Sequence, residues 1–138
     1  MSSYIVPNMK RNRRSLPRPT EGELELLRIL WERGPSTVRD LHQEVSSKRA
    51  LGYTSVLKLL QIMTEKGLVE REEAAKAHVY RAAAGQHETQ DQMLRDMSER
   101  LFSGSAAQLA MHALAMEHVN DQELEELRNL IEQKRQRQ

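Results

Sequence analysis

The sequence predicts a mainly α-helical protein with one small β-hairpin, made of an N-terminal domain and a helical tail. Apolar residues recur at helical spacing in six segments, whereas short apolar pairs typical of strands occur in one place, around a polar turn after Gly67. Charged residues make up 30% of the chain and aromatic residues only 4%, which favours small helices with charged surfaces over a β-sandwich.

Charge is distributed unevenly, although the net charge is only +1. Residues 1–19 contain five basic residues, three prolines and no acid. We predict that they form a disordered basic arm, which either contacts nucleic-acid phosphates or is a solvated tail. Residues 83–138 contain six basic and ten acidic residues, a local charge of −4. The two ends of the chain therefore favour different partners.

Capping boxes predict where the first two helices begin. Thr20 and Glu23 open a helix that ends at Gly34, and Thr37 and Asp40 open a shorter one. The predicted apolar faces are Leu24, Leu27, Leu30 and Trp31 in the first helix, and Val38, Leu41 and Val45 in the second.

The stretch from Leu51 to Arg81 organises the predicted N-terminal domain, residues 20–84. Its helical part has an apolar stripe of Val56, Leu59, Leu60 and Met63, and an opposite polar face of Thr54, Lys58, Gln61 and Glu65. After the Gly67 stop, Leu68, Val69, Val79 and Tyr80 are predicted strand residues around the turn 73–76. A helix with an outward polar face, followed by a hairpin, is typical of a winged helix-turn-helix that binds a DNA groove.

The tail, residues 85–138, is predicted to be a three-helix dimerisation domain. A break at Gly104 and a capping box at Asn120 separate its helices. Three short helices are too small to bury their own apolar stripes, so we expect a second copy of the chain to cover them. The alternative is that they fold back on the first domain. The predicted dimerisation residues are Met93, Leu94, Met97, Leu101, Phe102, Leu109, Ala113, Leu114, Leu124, Leu127, Leu130 and Ile131.

Eleven residues are predicted to bind DNA through a recognition helix, about 53–66, and a wing, about 68–82. Hydroxyl, amide and ammonium groups on one helix face can reach base edges in the major groove, while neighbouring cations neutralise phosphates. The alternative is that these are ordinary solvated side chains. They are Tyr53, Thr54, Ser55, Lys58 and Gln61 on the helix, Lys48 and Arg49 before it, and Arg71, Lys76, His78 and Arg81 in the wing.

Three motifs resemble the penicillinase-repressor family of the BlaI, MecI and CopY type. They are LWERGPSTVRDL from Leu30, GYTSVL from Gly52 and EKGLV from Glu65, and the similarity covers about residues 20–135. The resemblance implies a homodimeric transcriptional repressor whose winged helix binds a palindromic, inverted-repeat operator in double-stranded DNA. It also implies target genes for antibiotic resistance or metal handling, and a membrane sensor protease as a partner that relieves repression.

The chain departs from the family pattern in three respects. It lacks the Cys pairs of copper-responsive relatives, so a copper sensor is not expected. The Asn-Phe bond at which resistance repressors are cut is absent from about 106–116, so a cleavage site would differ. Leu51 and Ile62 stand where the family often has Trp and Arg, and the second change puts one contact to the DNA backbone in doubt.

Other function classes lack a sequence signal. The chain has no Cys, no H-E-x-x-H or G-x-S-x-G motif, no phosphate-binding Gly loop and no His pair at i, i+4 spacing. We therefore expect no enzyme activity, no metal and no cofactor. Without an apolar span or signal-peptide core, the prediction is a cytoplasmic protein without membrane insertion. Two alternatives stay open: a protein-interaction adaptor on a winged-helix scaffold, and a regulator with a small-molecule pocket.

Overall fold

The computed structural model describes residues 17–74 and 76–138. Of the predicted basic arm, only residues 17–19 fall within this range, and they form neither helix nor strand. Residues 1–16, with Lys10, Arg11, Arg13 and Arg14, lie outside the described residues. The chain divides into two compact units, one that ends at Leu94 and one that runs from Arg95 to Gln138.

Among its described residues, the first unit contains three complete helices, the first part of a fourth and a small antiparallel sheet. Its complete elements are α1 (Glu21–Arg33), β1 (Ser36–Thr37), α2 (Val38–Ser46), α3 (Tyr53–Lys66), β2 (Val69–Glu73) and β3 (His78–Ala82). Both predicted capping boxes are present, at Thr20 and Thr37. Gly67 ends α3 in the left-handed conformation, with φ of 84°, and donates its N–H to the last carbonyls of the helix. The predicted mainly helical class with a hairpin is thus confirmed.

The sheet has one strand more than the sequence predicted. Its order is β1-β3-β2, and Ser36 of β1 pairs with Tyr80 of β3. Strand β1 could not be predicted, because two residues are too few to show the alternation of apolar and polar side chains that is typical of a strand. The prediction that Leu68 is a strand residue was wrong, because it lies in a bend before β2, where its carbonyl accepts a bond from Ala83 N at 2.9 Å.

The core of this unit lies between the three helices and the inner face of the sheet. Val56, Leu60 and Met63 have no exposed surface, which confirms three of the four residues of the predicted stripe of α3, whereas Leu59 is only partly buried. Tyr80 of β3 belongs to the same core and is only 1% exposed. The remaining buried apolar residues are Leu26, Leu27, Ile29, Leu30, Val38, Leu41, Val45, Leu68 and Val69.

An ion pair between a buried carboxylate and a partly exposed ammonium joins the start of α1 to the end of α3. Glu23 is 2% exposed, and its Oε1 accepts hydrogen bonds from Lys66 Nζ at 2.7 Å and from Thr20 N at 2.8 Å. Lys66 Nζ also donates to the carbonyl of Arg18 at 3.0 Å. Burial alone would raise the pKa of Glu23, but the bonds from Lys66 and Thr20 outweigh it and lower the pKa below its usual value.

The second unit is helical and buries little of its apolar surface. The tail helices are α4 (Gln86–Leu101), α5 (Ala106–Met116) and α6 (Asp121–Arg137), so the division after Leu94 falls inside α4, beyond the predicted boundary at 84. Gly104, with φ of 82°, lies at the break after α4. Neither α5 nor α6 buries a residue within the chain. No helix among the described residues is long and apolar enough to cross a membrane.

Replacement of Glu23 by Gln should lower stability and reduce its dependence on acid. Gln can still accept the Thr20 bond but lacks the charge that faces Lys66, so we expect a loss of about 1–2 kcal/mol at neutral pH. Because the pKa of Glu23 is lowered in the folded protein, its contribution is present above the unfolded pKa and is lost as the pH falls through the lower pKa of the folded state. Urea unfolding from pH 7 to pH 3 measures both effects.

The control is Glu132→Gln, which removes an exposed carboxylate from α6. It should leave the free energy of unfolding within about 0.5 kcal/mol of the parent value. If E23Q and the parent lost stability equally between pH 5 and pH 3, Glu23 would not be the acid-sensitive group.

Candidate nucleic-acid interface

One face of α3 is polar and open to solvent, whereas its opposite face packs into the core. Thr54, Ser55, Lys58 and Gln61 are all exposed and lie on the side opposite the buried stripe. Side chains three and four residues apart on a helix are neighbours, so hydroxyl, ammonium and amide groups form one continuous surface. A helix of 14 residues is about 21 Å long, which suits insertion along a major groove.

The first turn of α3 has backbone N–H groups without a side-chain cap. Its N-cap is Gly52, whereas Thr20 and Thr37 cap α1 and α2 with side-chain oxygens. The first N–H groups of a helix need acceptors from outside the helix, and a phosphate oxygen is a suitable acceptor. Tyr53, 49% exposed, stands at this end.

His42 of α2 holds the loop that leads into α3. Its Nε2 lies 2.9 Å from the carbonyl oxygen of Leu51, and because that oxygen can only accept, Nε2 carries the hydrogen. The ring also meets Tyr53 edge to face, with ring centroids 5.7 Å apart. This role of His42 could not be predicted from the sequence, because a single polar residue on a helix has no spacing pattern.

The two cations before α3 have different surroundings. Lys48 is exposed in the turn that follows α2. Arg49 is also exposed, but its Nη2 lies 2.7 Å from Glu25 Oε1 of α1. In the unbound protein, this ion pair connects the loop before α3 to α1. A DNA phosphate would have to compete with Glu25 for the guanidinium.

The wing, β2 and β3 with their turn, carries the other predicted cations. Arg71, Lys76, His78 and Arg81 are all exposed. Arg71 pairs across the strands with Tyr80, and His78 with Glu73. Arg81 forms ion pairs with Glu70 at 3.0 Å and Glu72 at 2.8 Å. The eleven predicted residues are therefore all exposed, but two of their guanidinium groups are already bound by carboxylates.

Among the described residues, no group of three or more His, Cys, Asp and Glu side chains could hold a metal ion. A cavity of about 120 Å³ lies in the first unit, lined in part by Leu27, Leu68 and Thr89. The polar face of α3 is therefore the surface whose chemistry points most directly to a macromolecular partner.

The helix-turn-helix of α2 and α3, followed by the hairpin, defines a winged-helix DNA-binding protein. The model of the penicillinase repressor family matches residues 19–133, and the chain belongs to that family. This confirms the family resemblance. The chain is a DNA-binding transcriptional repressor and not an enzyme, as its family membership shows.

Named relatives agree with this membership. The chain is 32% identical over 114 residues to the transcriptional regulator BlaI of Mycobacterium tuberculosis, over 80% of this chain and 81% of that protein. It is 19% identical over 115 residues to the methicillin resistance regulatory protein MecI of Mammaliicoccus sciuri, over 83% and 94%. A solution structure of the DNA-binding domain of the repressor BlaI is similar with a TM-score of 0.49 and 18% identity, over 58% and 93%.

Replacement of His42 by Phe should weaken DNA binding while the domain stays folded. Phe keeps the ring contact with Tyr53 but cannot donate to Leu51, so the loop before α3 loses about 1 kcal/mol of stabilisation. We expect operator affinity to fall about fivefold, measured by fluorescence anisotropy. His42→Gln restores a donor at similar reach and should recover most of the affinity. Equal affinities of H42F and the parent would refute a positioning role.

Proposed function

We propose that the repressor binds an inverted-repeat operator as a homodimer, with each half-site read by α3 and flanked by the wing. The polar face of α3, opposite a stripe with no exposed surface, is the observation that carries this proposal. Thr54 and Ser55 suit base edges or phosphates, Lys58 suits guanine O6 or N7, and Gln61 suits adenine. The relatives' printed names, a transcriptional regulator and a methicillin resistance regulatory protein, support a regulatory role.

The apolar surface of the tail supports the dimer. Leu101 is 70% exposed, Ile131 57% and Leu130 52% in the single chain. Exposed large apolar residues along helices are typical of a surface that a partner covers. A second copy offers the same stripes, and a two-fold axis lets each stripe meet its equivalent. The predicted dimerisation residues thus remain a proposal that this exposure supports.

The charge of one domain also favours two copies. Arg49 and Arg81 are held by carboxylates, so they are not freely available to phosphates. A small number of phosphate contacts gives weak binding at physiological salt, and two linked half-sites add their contacts. Two-fold symmetry then places the half-site centres about 34 Å apart, one helical turn, or a small multiple of it.

A repressor must bind chromosomal DNA, so we propose a cytoplasmic location without membrane insertion. A membrane sensor protease as partner is the expectation of the family resemblance. Genes for such a protease beside the gene of this protein would support it.

Replacement of Lys58 by Ala should relax base preference at one operator position. If Lys58 reads a base edge, the loss is about 1–3 kcal/mol for the preferred sequence and much smaller for others. Competition binding to a set of single-base operator variants measures this, after selection of the operator from random DNA. Lys134→Ala removes the same charge from the end of α6 and should leave base preference unchanged. A uniform loss on all sequences would assign Lys58 to the DNA backbone.

Replacement of Ile131 by Glu should separate the dimer. A buried, unpaired carboxylate at an apolar interface costs several kcal/mol, so the variant should sediment as a monomer at micromolar concentration. Operator affinity should fall by at least about 100-fold, because avidity between two half-sites is lost. The control is Asn129→Glu. It adds the same charge on the side of α6 opposite Leu127, Leu130 and Ile131, and this variant should stay dimeric. A dimeric I131E protein would place the interface elsewhere.

A further inference from the structure

The outward face of the wing presents an arginine held by two carboxylates. Arg81 Nε donates to Glu70 Oε1 at 3.0 Å, and Arg81 Nη1 donates to Glu72 Oε1 at 2.8 Å. The sheet register brings them together, since Glu70 lies opposite Arg81 and Glu72 is the next residue on the same face of β2. Their side chains are 51%, 57% and 63% exposed in the order Arg81, Glu70, Glu72. The group is therefore open to an approaching DNA strand.

We propose that Glu70 and Glu72 withhold Arg81 from DNA phosphates and so limit the wing's contribution to binding. This inference rests on the proposed function, in which the wing flanks each half-site. A guanidinium binds a phosphate through the same planar N–H groups that it uses for a carboxylate. Two of its five N–H groups are occupied here, so a phosphate must compete with the carboxylates for Arg81.

The charge of this face adds to the effect. One arginine and two glutamates give a local charge of −1, which repels the DNA backbone when Arg81 stays paired. The other face of β2 differs, because Arg71 alternates away from Glu70 and Glu72 and lies opposite Tyr80. Phosphate contacts by the wing therefore fall to Arg71 and to Lys76 in the turn.

The consequence concerns specificity more than total affinity. Phosphate contacts strengthen binding to every sequence, whereas base contacts from α3 distinguish sequences. A wing arginine that is withheld from phosphates lowers binding to non-operator DNA and leaves base reading to dominate. Glu70 and Glu72 are thus specificity-determining residues, although neither touches a base.

A double-mutant cycle on the full-length protein tests the coupling. The four proteins are the parent, E70Q/E72Q, R81Q and the triple variant, and the probe is a mixed-sequence duplex of about 30 base pairs, chosen because phosphate contacts ignore sequence. Affinity is measured at several salt concentrations. We expect E70Q/E72Q to bind roughly three- to tenfold more tightly, with a salt slope steeper by about 1 for each wing that contacts DNA. The triple variant should lose this gain in affinity. The R81Q substitution should therefore lower the affinity less in the parent protein than in the E70Q/E72Q variant.

Glu73→Gln is the control for the loss of a wing carboxylate that does not bind Arg81. Glu73 is an exposed carboxylate on the same strand but on the opposite face, paired across the strands with His78. Its removal should tighten binding less than that of Glu70 and Glu72, and equally with or without Arg81. The proposal is overturned if E70Q/E72Q binds no more tightly than the parent, if the gain survives in the triple variant, or if E73Q reproduces it.

Failure of the proposed function would look different. A parent protein that bound the duplex without salt dependence would reject the proposed DNA-binding function and this inference with it. If the parent binds with a steep salt slope and only the coupling is absent, the wing inference alone is rejected. Since the substituted side chains are at least half exposed, we expect all variants to fold, which thermal melting verifies.

Discussion

The complete burial of one stripe of α3 is the constraint on which the rest of the structure depends. Val56, Leu60 and Met63 have no exposed surface, so the rotation of the helix about its axis is fixed by the core. A rotation by one residue position would turn an apolar group toward water and a polar group toward the core. The same packing that stabilises the domain therefore decides which side chains DNA can meet.

The ends of α3 are held by contacts outside this core. At its start, His42 bonds to the carbonyl of Leu51, and at its end the ammonium of Lys66 bonds to the buried carboxylate of Glu23. Base recognition requires placement of donors and acceptors to within a fraction of an ångström. Polar contacts at both ends limit fraying where packing alone leaves the backbone freer.

Charge pairing reduces the number of unpaired cations on the candidate DNA-binding surface. Arg49 is held by Glu25, and Arg81 by two wing carboxylates. The isolated domain thus has fewer available cations than its sequence suggests, and the tail compensates if it joins two domains. Dimerisation through the tail would then make binding depend on two half-sites. The pairing of Arg81 with carboxylates would make it depend on the correct base sequence.

The sequence by itself determined the helices, their caps and the two faces of α3. These are local properties: Thr20, Thr37 and Asn120 bond to backbone groups three residues away, and the apolar spacing of α3 permits only one buried face. Family motifs in the first domain then led to the repressor assignment. The candidate residues Thr54, Ser55, Lys58 and Gln61 were found in this way, and all lie on the exposed face.

Only the tertiary structure decided which charges are available and what holds α3 in place. Strand β1 forms because two residues reach Tyr80 and Val79 across the domain, a pairing without a local pattern. The carboxylate partners of Arg81, Arg49 and Lys66 lie 9 to 43 residues away in the chain. Such ion pairs depend on strand register and on the packing of α1 against α3, which side-chain chemistry in the linear sequence does not specify.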